Sequence, residues 1–424
     1  MQLPSAFRAS TLRGLLAYPF VRQVSETYLT RFLIVVLGLV NSILVTRILG
    51  PEGRGMFAVA VTIAAIGVQL GNLGLHSSNT YYVARDPQAL PTLLGNSLLV
   101  SAACAVVTVV AFAVVRTNPG LAPLGGPLLA LALAAIPVGL ASLLLQNLLI
   151  GTLQIHAYNV IDFVTRILGV LLVGATVPMG VVSPEVVFAL GLATTGLGAV
   201  WIFVRLRSIV GGPIRRSTSS LWSGLQYGLR AYFGSLFAFL VLKSDVVLVK
   251  YLRGAEETGY YSIAVGIADL LLMLPTVLGT ILLPRLGAAP GLAHRWDLTR
   301  RVLKVVVPGT PLALLVVLLT ARPLIRLAYG SAFDPAFSAV VWLLPGIGFL
   351  AINTVLMNFF AACGMPPVTV YSPLIALVVN VLINLRLIPS LGFVGASVSS
   401  SLAYGLMLLM SLVYLRFGGQ SRDG

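Results

Sequence analysis

Twelve apolar stretches punctuate the chain, over 27–48, 56–75, 93–115, 127–150, 160–177, 185–204, 225–249, 260–283, 302–321, 336–360, 368–388 and 394–415. Each is near or beyond the roughly 20 residues that an α-helix needs to cross the hydrocarbon of a bilayer. Connections between them are short, which leaves no room for a water-soluble catalytic domain. With 58% hydrophobic and 9% charged residues, the chain carries more apolar surface than a water-soluble core could hide. The expectation is an all-α integral membrane protein with twelve transmembrane helices.

The first two stretches are joined by Arg47-Ile48-Leu49-Gly50-Pro51-Glu52-Gly53-Arg54-Gly55-Met56-Phe57, and the seventh and eighth by Lys250-Tyr251-Leu252-Arg253-Gly254-Ala255-Glu256-Glu257-Thr258-Gly259-Tyr260-Tyr261. Set together without a gap, 44–64 and 248–268 match at Gly50/Gly254, Glu52/Glu256, Gly55/Gly259, Ala60/Ala264 and Ala64/Ala268, among others. A second register sets 151–158 against 364–371. Matched polar corners in two halves are what a transporter of two parallel repeats should show. The expected organisation is an amphipathic lead-in (1–26), an N-lobe of helices 1–6 (27–207), a linker rich in Gly, Pro and Ser (208–221), a C-lobe of helices 7–12 (222–416) and a short tail (417–424).

A formal charge of +15 does not point to nucleic acid, because the basic residues fall in short clusters between apolar spans. With the N-terminus inside, Lys and Arg near the span ends favour the cytoplasmic face by about two to one, so both termini are expected in the cytoplasm. Cys104 and Cys363 have neither metal-ligand nor disulfide spacing. His76, His156 and His294 lie far apart and read as interfacial hydrogen-bonding groups. No nucleophile-and-base set and no phosphate-cradling glycine loop of nucleotide type is found, so neither an enzyme nor a cofactor is expected.

Ionisable residues within spans are costly near the bilayer centre and usually face a cavity or a partner. Asp162 and Arg166, four apart, share a helix face and can neutralise each other. Lys243 and Asp245, two apart, point to opposite sides. Asp269, near the middle of its span, calls for a cavity or a cationic partner. Amides form a second layer, and each singly reads as helix glue. Asn41 is the exception, since the repeat sets it opposite Asp245, and both are expected to look into the central cleft.

The segments 46–55, Lys243-Ser244-Asp245 with 257–264, and 387–397 resemble the polysaccharide transporter family, which includes flippases for lipid-linked O-antigen and capsule repeat units. That family sits in the superfamily of the multidrug and toxin extrusion antiporters. The resemblance implies two pseudo-symmetric six-helix lobes around a central V-shaped cavity in the cell inner membrane. It also implies a polyprenyl-diphosphate-linked oligosaccharide as substrate, moved by alternating access, with membrane lipids and polysaccharide polymerase machinery as further partners.

In this reading Arg166 and Lys243, with Arg31 and Arg230 nearer the cytoplasmic mouth, offset the diphosphate charge, while Asn41 and Asp245 belong to the same substrate site. Asp269 or Asp162 would take a coupling ion. Alternatives are a multidrug antiporter of the same superfamily and a lipid II flippase. Asn41-Ser42, where the latter proteins carry an Arg-Asp pair, and the lack of two further C-terminal helices count against the second.

Overall fold

The computed structural model describes residues 19–118, 120 and 122–417. The side chains of 19–29, 31, 230 and 280 lie outside the described residues, and with them the candidates Arg31 and Arg230. Twelve α-helices follow one another within the described residues: α1 (Pro19–Asn72), α2 (Leu75–Arg85), α3 (Leu90–Thr117), α4 (Gly126–Gly151), α5 (Ile155–Thr176), α6 (Pro184–Ile209), α7 (Thr218–Arg253), α8 (Ala255–Ala288), α9 (Gly291–Tyr329), α10 (Ala336–Ala362), α11 (Val368–Leu391) and α12 (Phe393–Phe417). All but the short α2 are long and apolar enough to cross a membrane.

The apolar run of α1, Phe32–Asn72, is 41 residues long, about 60 Å of helix and therefore two crossings. Gly50 divides it, with φ 65° and ψ −177°, a backbone conformation open to glycine almost alone. Pro51 then starts the second arm, whose first turn needs no backbone donor there. Counting both arms gives the twelve spans expected.

Gly254 makes the corresponding corner between α7 and α8 with φ 92° and ψ −176°. The two corners touch. A Cβ placed on Gly55 would lie 1.8 Å from the Ala255 carbonyl oxygen, and one on Gly259 would lie 2.0 Å from that of Pro51. Pro51 and Ala255 are matched at the same spacing as the two glycines, so a single backbone contact is made twice across the pseudo-twofold axis. Beneath it Val59 and Ala60 of α1 and Ile263 and Ala264 of α8 are fully buried in one core cluster. Arg47 closes the same end, donating Nε to the Ala328 carbonyl at 2.7 Å and a second nitrogen to the Leu327 carbonyl. Those are carbonyls that the end of α9 leaves without helical partners. Asp334, just beyond, is held below the usual carboxylate range by its hydrogen bond from Arg326.

Away from the corners the cores separate. One cluster belongs to the N-lobe helices, with Leu94, Leu148, Ile202 and Leu206, and another to the C-lobe, with Leu286, Val355, Phe360 and Val368. The bundle is thus two six-helix lobes joined at the corner end and enclosing a V-shaped cavity. One flank remains closed beyond the corners: Tyr232 of α7 donates to the Leu70 carbonyl at 3.0 Å, and the rings of Tyr81 and Tyr227 stack with centroids 4.6 Å apart.

Two local expectations need correction. The residue in left-handed conformation after α4 is Leu153 (φ 60°), and after α10 the first is Gly364 (φ 89°), followed by Met365 (φ 56°). In both turns the next N–H returns five residues, from Gln154 to the Leu149 carbonyl and from Met365 to that of Phe360. This is the Schellman pattern, and it shifts the second register by two residues. Gly151 is instead a packing glycine, since a Cβ there would lie 2.2 Å from Val83. Hydropathy also missed α2 and the polar first turns of α9, because it detects only what lipid covers.

In α2, the Asn72 amide nitrogen donates to His76 Nδ1, 2.7 Å away. Burial pushes its imidazole below the ordinary value of 6.5. The unfolded chain therefore binds this proton more readily, and stability falls as the pH drops below about 6.5. Melting midpoints of the native chain should decline between pH 7.5 and 5.5 more steeply than those of His76→Gln. Parallel profiles would refute the assignment.

Candidate functional site

Between the lobes lies a cavity of about 1040 Å³. The N-lobe contributes Ile34, Gly38 and Ser42 from the first arm of α1 and Arg166 from α5, and the C-lobe contributes Leu242, Asp269, Thr276, Asn353 and Asn358. Tyr329, at the corner end of α9, also lines it. Most of the described wall is apolar, and among the described residues its charged side chains are Arg166 and Asp269.

Both belong to ion pairs. Arg166 donates Nε to Asp162 Oδ1 at 2.9 Å along α5, with 51% of the arginine side chain exposed and 11% of the aspartate. Lys243 of α7 donates Nζ to Asp269 Oδ2 of α8 at 2.9 Å. The four-residue spacing of the first pair and the cationic partner expected for Asp269 are therefore both present. Each cation is matched by one carboxylate, so an arriving anion would have to compete with Asp162 and Asp269 for them. Neither pair is fully dry, which keeps that exchange within a few kcal/mol.

Lys243 and Asp245 diverge, as two-residue spacing requires. Asp245, however, does not reach the central cavity. It is 1% exposed and sits inside the C-lobe among α8, α11 and α12. Tyr261 donates its hydroxyl to Oδ2 at 3.0 Å, the Asn384 amide donates to Oδ1 at 2.8 Å, and the Ser400 hydroxyl also donates to Oδ2. Asn384 donates in turn to Asn380. A carboxylate buried with this many donors fastens four helices together.

Asn41 occupies the matched place in the N-lobe, and it too faces the interior of its own lobe. It lines a second cavity, of about 290 Å³, bounded by α1, α4, α5 and α6. Ser142, Gln146, Thr165, Thr194 and Thr195 share that wall with the Asp162–Arg166 pair. Arg166 and Gly38 line both cavities, so the two adjoin at that point. The expectation that Asn41 and Asp245 both look into the central cleft is thus wrong for both, because the twofold axis relates the interiors of the lobes as well as the cleft between them. Other amides act as glue between helices: Asn79 donates to Ser97 at 2.9 Å and Asn353 accepts from Ser411 at 2.7 Å, whereas Asn358 bonds within its own helix to the Thr354 carbonyl. Ser142 and Thr195 had no sequence signal beyond their residue type.

A family model described as polysaccharide biosynthesis protein matches residues 20–289. The chain is 24% identical over 206 residues to the uncharacterized membrane protein MJ1068 of Methanocaldococcus jannaschii, a match that covers 47% of this chain and 40% of that protein. The chain thus spans less than half the length of that relative. Among solved structures, an inward-facing multidrug resistance MATE family transporter of the MOP superfamily superposes with TM-score 0.73 at 15% identity, over 92% of this chain and 95% of that one. The lipid II flippase MurJ in an inward closed conformation superposes with TM-score 0.74 at 14% identity, over 92% and 87%. A MOP superfamily transporter from Pyrococcus furiosus gives TM-score 0.66 at 15% identity, over 95% and 96%. At these identities the shared property is the fold.

Proposed function

The chain belongs to the polysaccharide biosynthesis protein family, and we propose that it is a flippase turning a polyprenyl-diphosphate-linked oligosaccharide across the cell inner membrane by alternating access, with both termini in the cytoplasm. The observation that carries this reading is Arg166, half exposed on the wall of the central cavity with a polar N-lobe cavity on its other side. Arg166 and Lys243 take the diphosphate, displacing Asp162 and Asp269, and the freed carboxylates are the groups that would carry a coupling ion. Beside the cavity, Phe32 and Val36 of α1 and Leu270 and Leu274 of α8 are exposed, an apolar border along which the polyprenyl tail can stay in lipid. Arg31 and Arg230 would receive the headgroup first.

The reading is tested in reconstituted vesicles with a fluorescent polyprenyl-diphosphate glycan. Replacing both Arg166 and Lys243 by Gln removes two charge-assisted contacts, and transport should fall roughly 10- to 100-fold or more. Undiminished transport would remove both residues from the site. Export of organic cations in place of the glycan would move the protein to the multidrug class.

A further inference from the structure

The two lobes are copies, yet one has a filled interior and the other a hollow one. In the C-lobe, Asp245 is surrounded by side chains that satisfy it. At the same place in the N-lobe stands Asn41, whose amide has no hydrogen-bond partner within the protein among the described residues, on the wall of the 290 Å³ cavity. Tyr261, which donates to Asp245, is replaced at the matched position by Phe57, which lines the hollow without a hydroxyl. The polar complement that the C-lobe supplies from its own chain is missing from the N-lobe.

An unsatisfied amide inside an apolar bundle is costly unless water or a ligand completes it. The other groups around the hollow indicate which ligand. Gln146 donates to Ser142 Oγ at 3.1 Å, which leaves its carbonyl oxygen free to accept. Thr194 and Thr195 both donate to the Gly191 carbonyl, so their oxygens remain available as acceptors. Among the described residues the hollow's only charges are Asp162 and Arg166, already paired with each other. Neutral donors and acceptors distributed around two aromatic side chains, Phe57 and Tyr158, suit a neutral polyhydroxylated ring, and the volume equals that of roughly ten waters, enough for one such ring.

We infer that the N-lobe hollow is a glycosyl subsite: it takes one neutral pyranose ring of the cargo, held by Asn41 and Gln146, while Arg166 at its mouth meets the adjoining phosphate. The inference rests on the flippase reading, and the hollow is the part of the site that reads which sugar comes next to the diphosphate.

The test uses the full chain in nanodiscs and saturation-transfer NMR with methyl glycosides of a neutral hexose, an N-acetylhexosamine and a hexuronic acid. The native chain should transfer saturation to at least one neutral glycoside. Asn41→Leu and Gln146→Leu should each weaken that binding roughly five- to tenfold. A second variant guards against misfolding: a Cβ at Gly191, on the wall of the hollow, meets no atom within 4 Å, so Gly191→Leu should fill the space, keep the melting midpoint and abolish the signal. Equal saturation transfer in the native chain and Gly191→Leu would overturn the subsite. If Gly191→Leu also moves lipid-linked glycan at the native rate, the subsite falls and the flippase stands. If tetraphenylphosphonium binds the native chain and Gly191→Leu expels it, while no glycoside binds, subsite and flippase fall together.

Discussion

Gly55→Ala is expected to drive the two corners apart. The added methyl would meet the Ala255 carbonyl oxygen at 1.8 Å, and no rotamer change can relieve a collision between a Cβ and a backbone oxygen. Inserting a methyl into a packed contact typically costs about 1–3 kcal/mol, so the population with touching corners should fall roughly five- to hundredfold relative to the separated state. Spin labels at Glu52 and Glu256, both exposed, would report a longer distance between corners. Gly259→Ala should do the same through the Pro51 carbonyl. Because one joint is struck twice, the double variant should add little to either single one, and a double-mutant cycle measures that shortfall. Gly287→Ala, whose Cβ meets no atom within 4 Å, should leave the distance unchanged. Labels that stay at the native separation in Gly55→Ala would mean that the corners do not bear on each other.

That contact shows how far the sequence can be read and where it stops. The repeat at 50–55 and 254–259 was legible because glycine is so restrictive a choice: Gly50 and Gly254 are needed for a positive φ, and both copies keep them. Nothing local distinguishes Gly55 from them, although its role is close approach to the other lobe. Spacing along a helix was equally legible, since side chains four apart meet and those two apart diverge, which placed Asp162 beside Arg166 and separated Lys243 from Asp245. Depth was not legible. A span gives its residues no sign of whether their inward face meets the cleft or the interior of a lobe, and so the sequence places Asn41 and Asp245 in the cleft when each faces the interior of its lobe. The lengths of α9 and α2 were hidden for a related reason: polar turns outside the bilayer leave no trace in hydropathy.

The burial of Asp245 leads to the second large effect. Asp245→Leu removes the acceptor used by Tyr261, Asn384 and Ser400 and leaves their donors in a dry interior. Some of this loss can be recovered. Asn384 already donates to Asn380 at 3.0 Å, and the Tyr261 and Ser400 hydroxyl oxygens are 3.4 Å apart, close enough to pair. One or two groups then stay unsatisfied, for a cost of about 2–4 kcal/mol. Asp245→Asn keeps the shape and one carbonyl acceptor, and hydroxyls that turn to accept from its amide limit the damage further. The melting midpoint should therefore fall in the order Asp245→Leu, Asp245→Asn, native, with the lowest value first. Tyr261→Phe in the Asp245→Leu background should cost less than in the native chain, because its hydroxyl no longer has a carboxylate to lose. A melting midpoint unmoved by Asp245→Leu would mean that the four helices of the C-lobe are held by their apolar contacts alone. The hollow at the matched place in the N-lobe would then no longer be the counterpart of a structural hub.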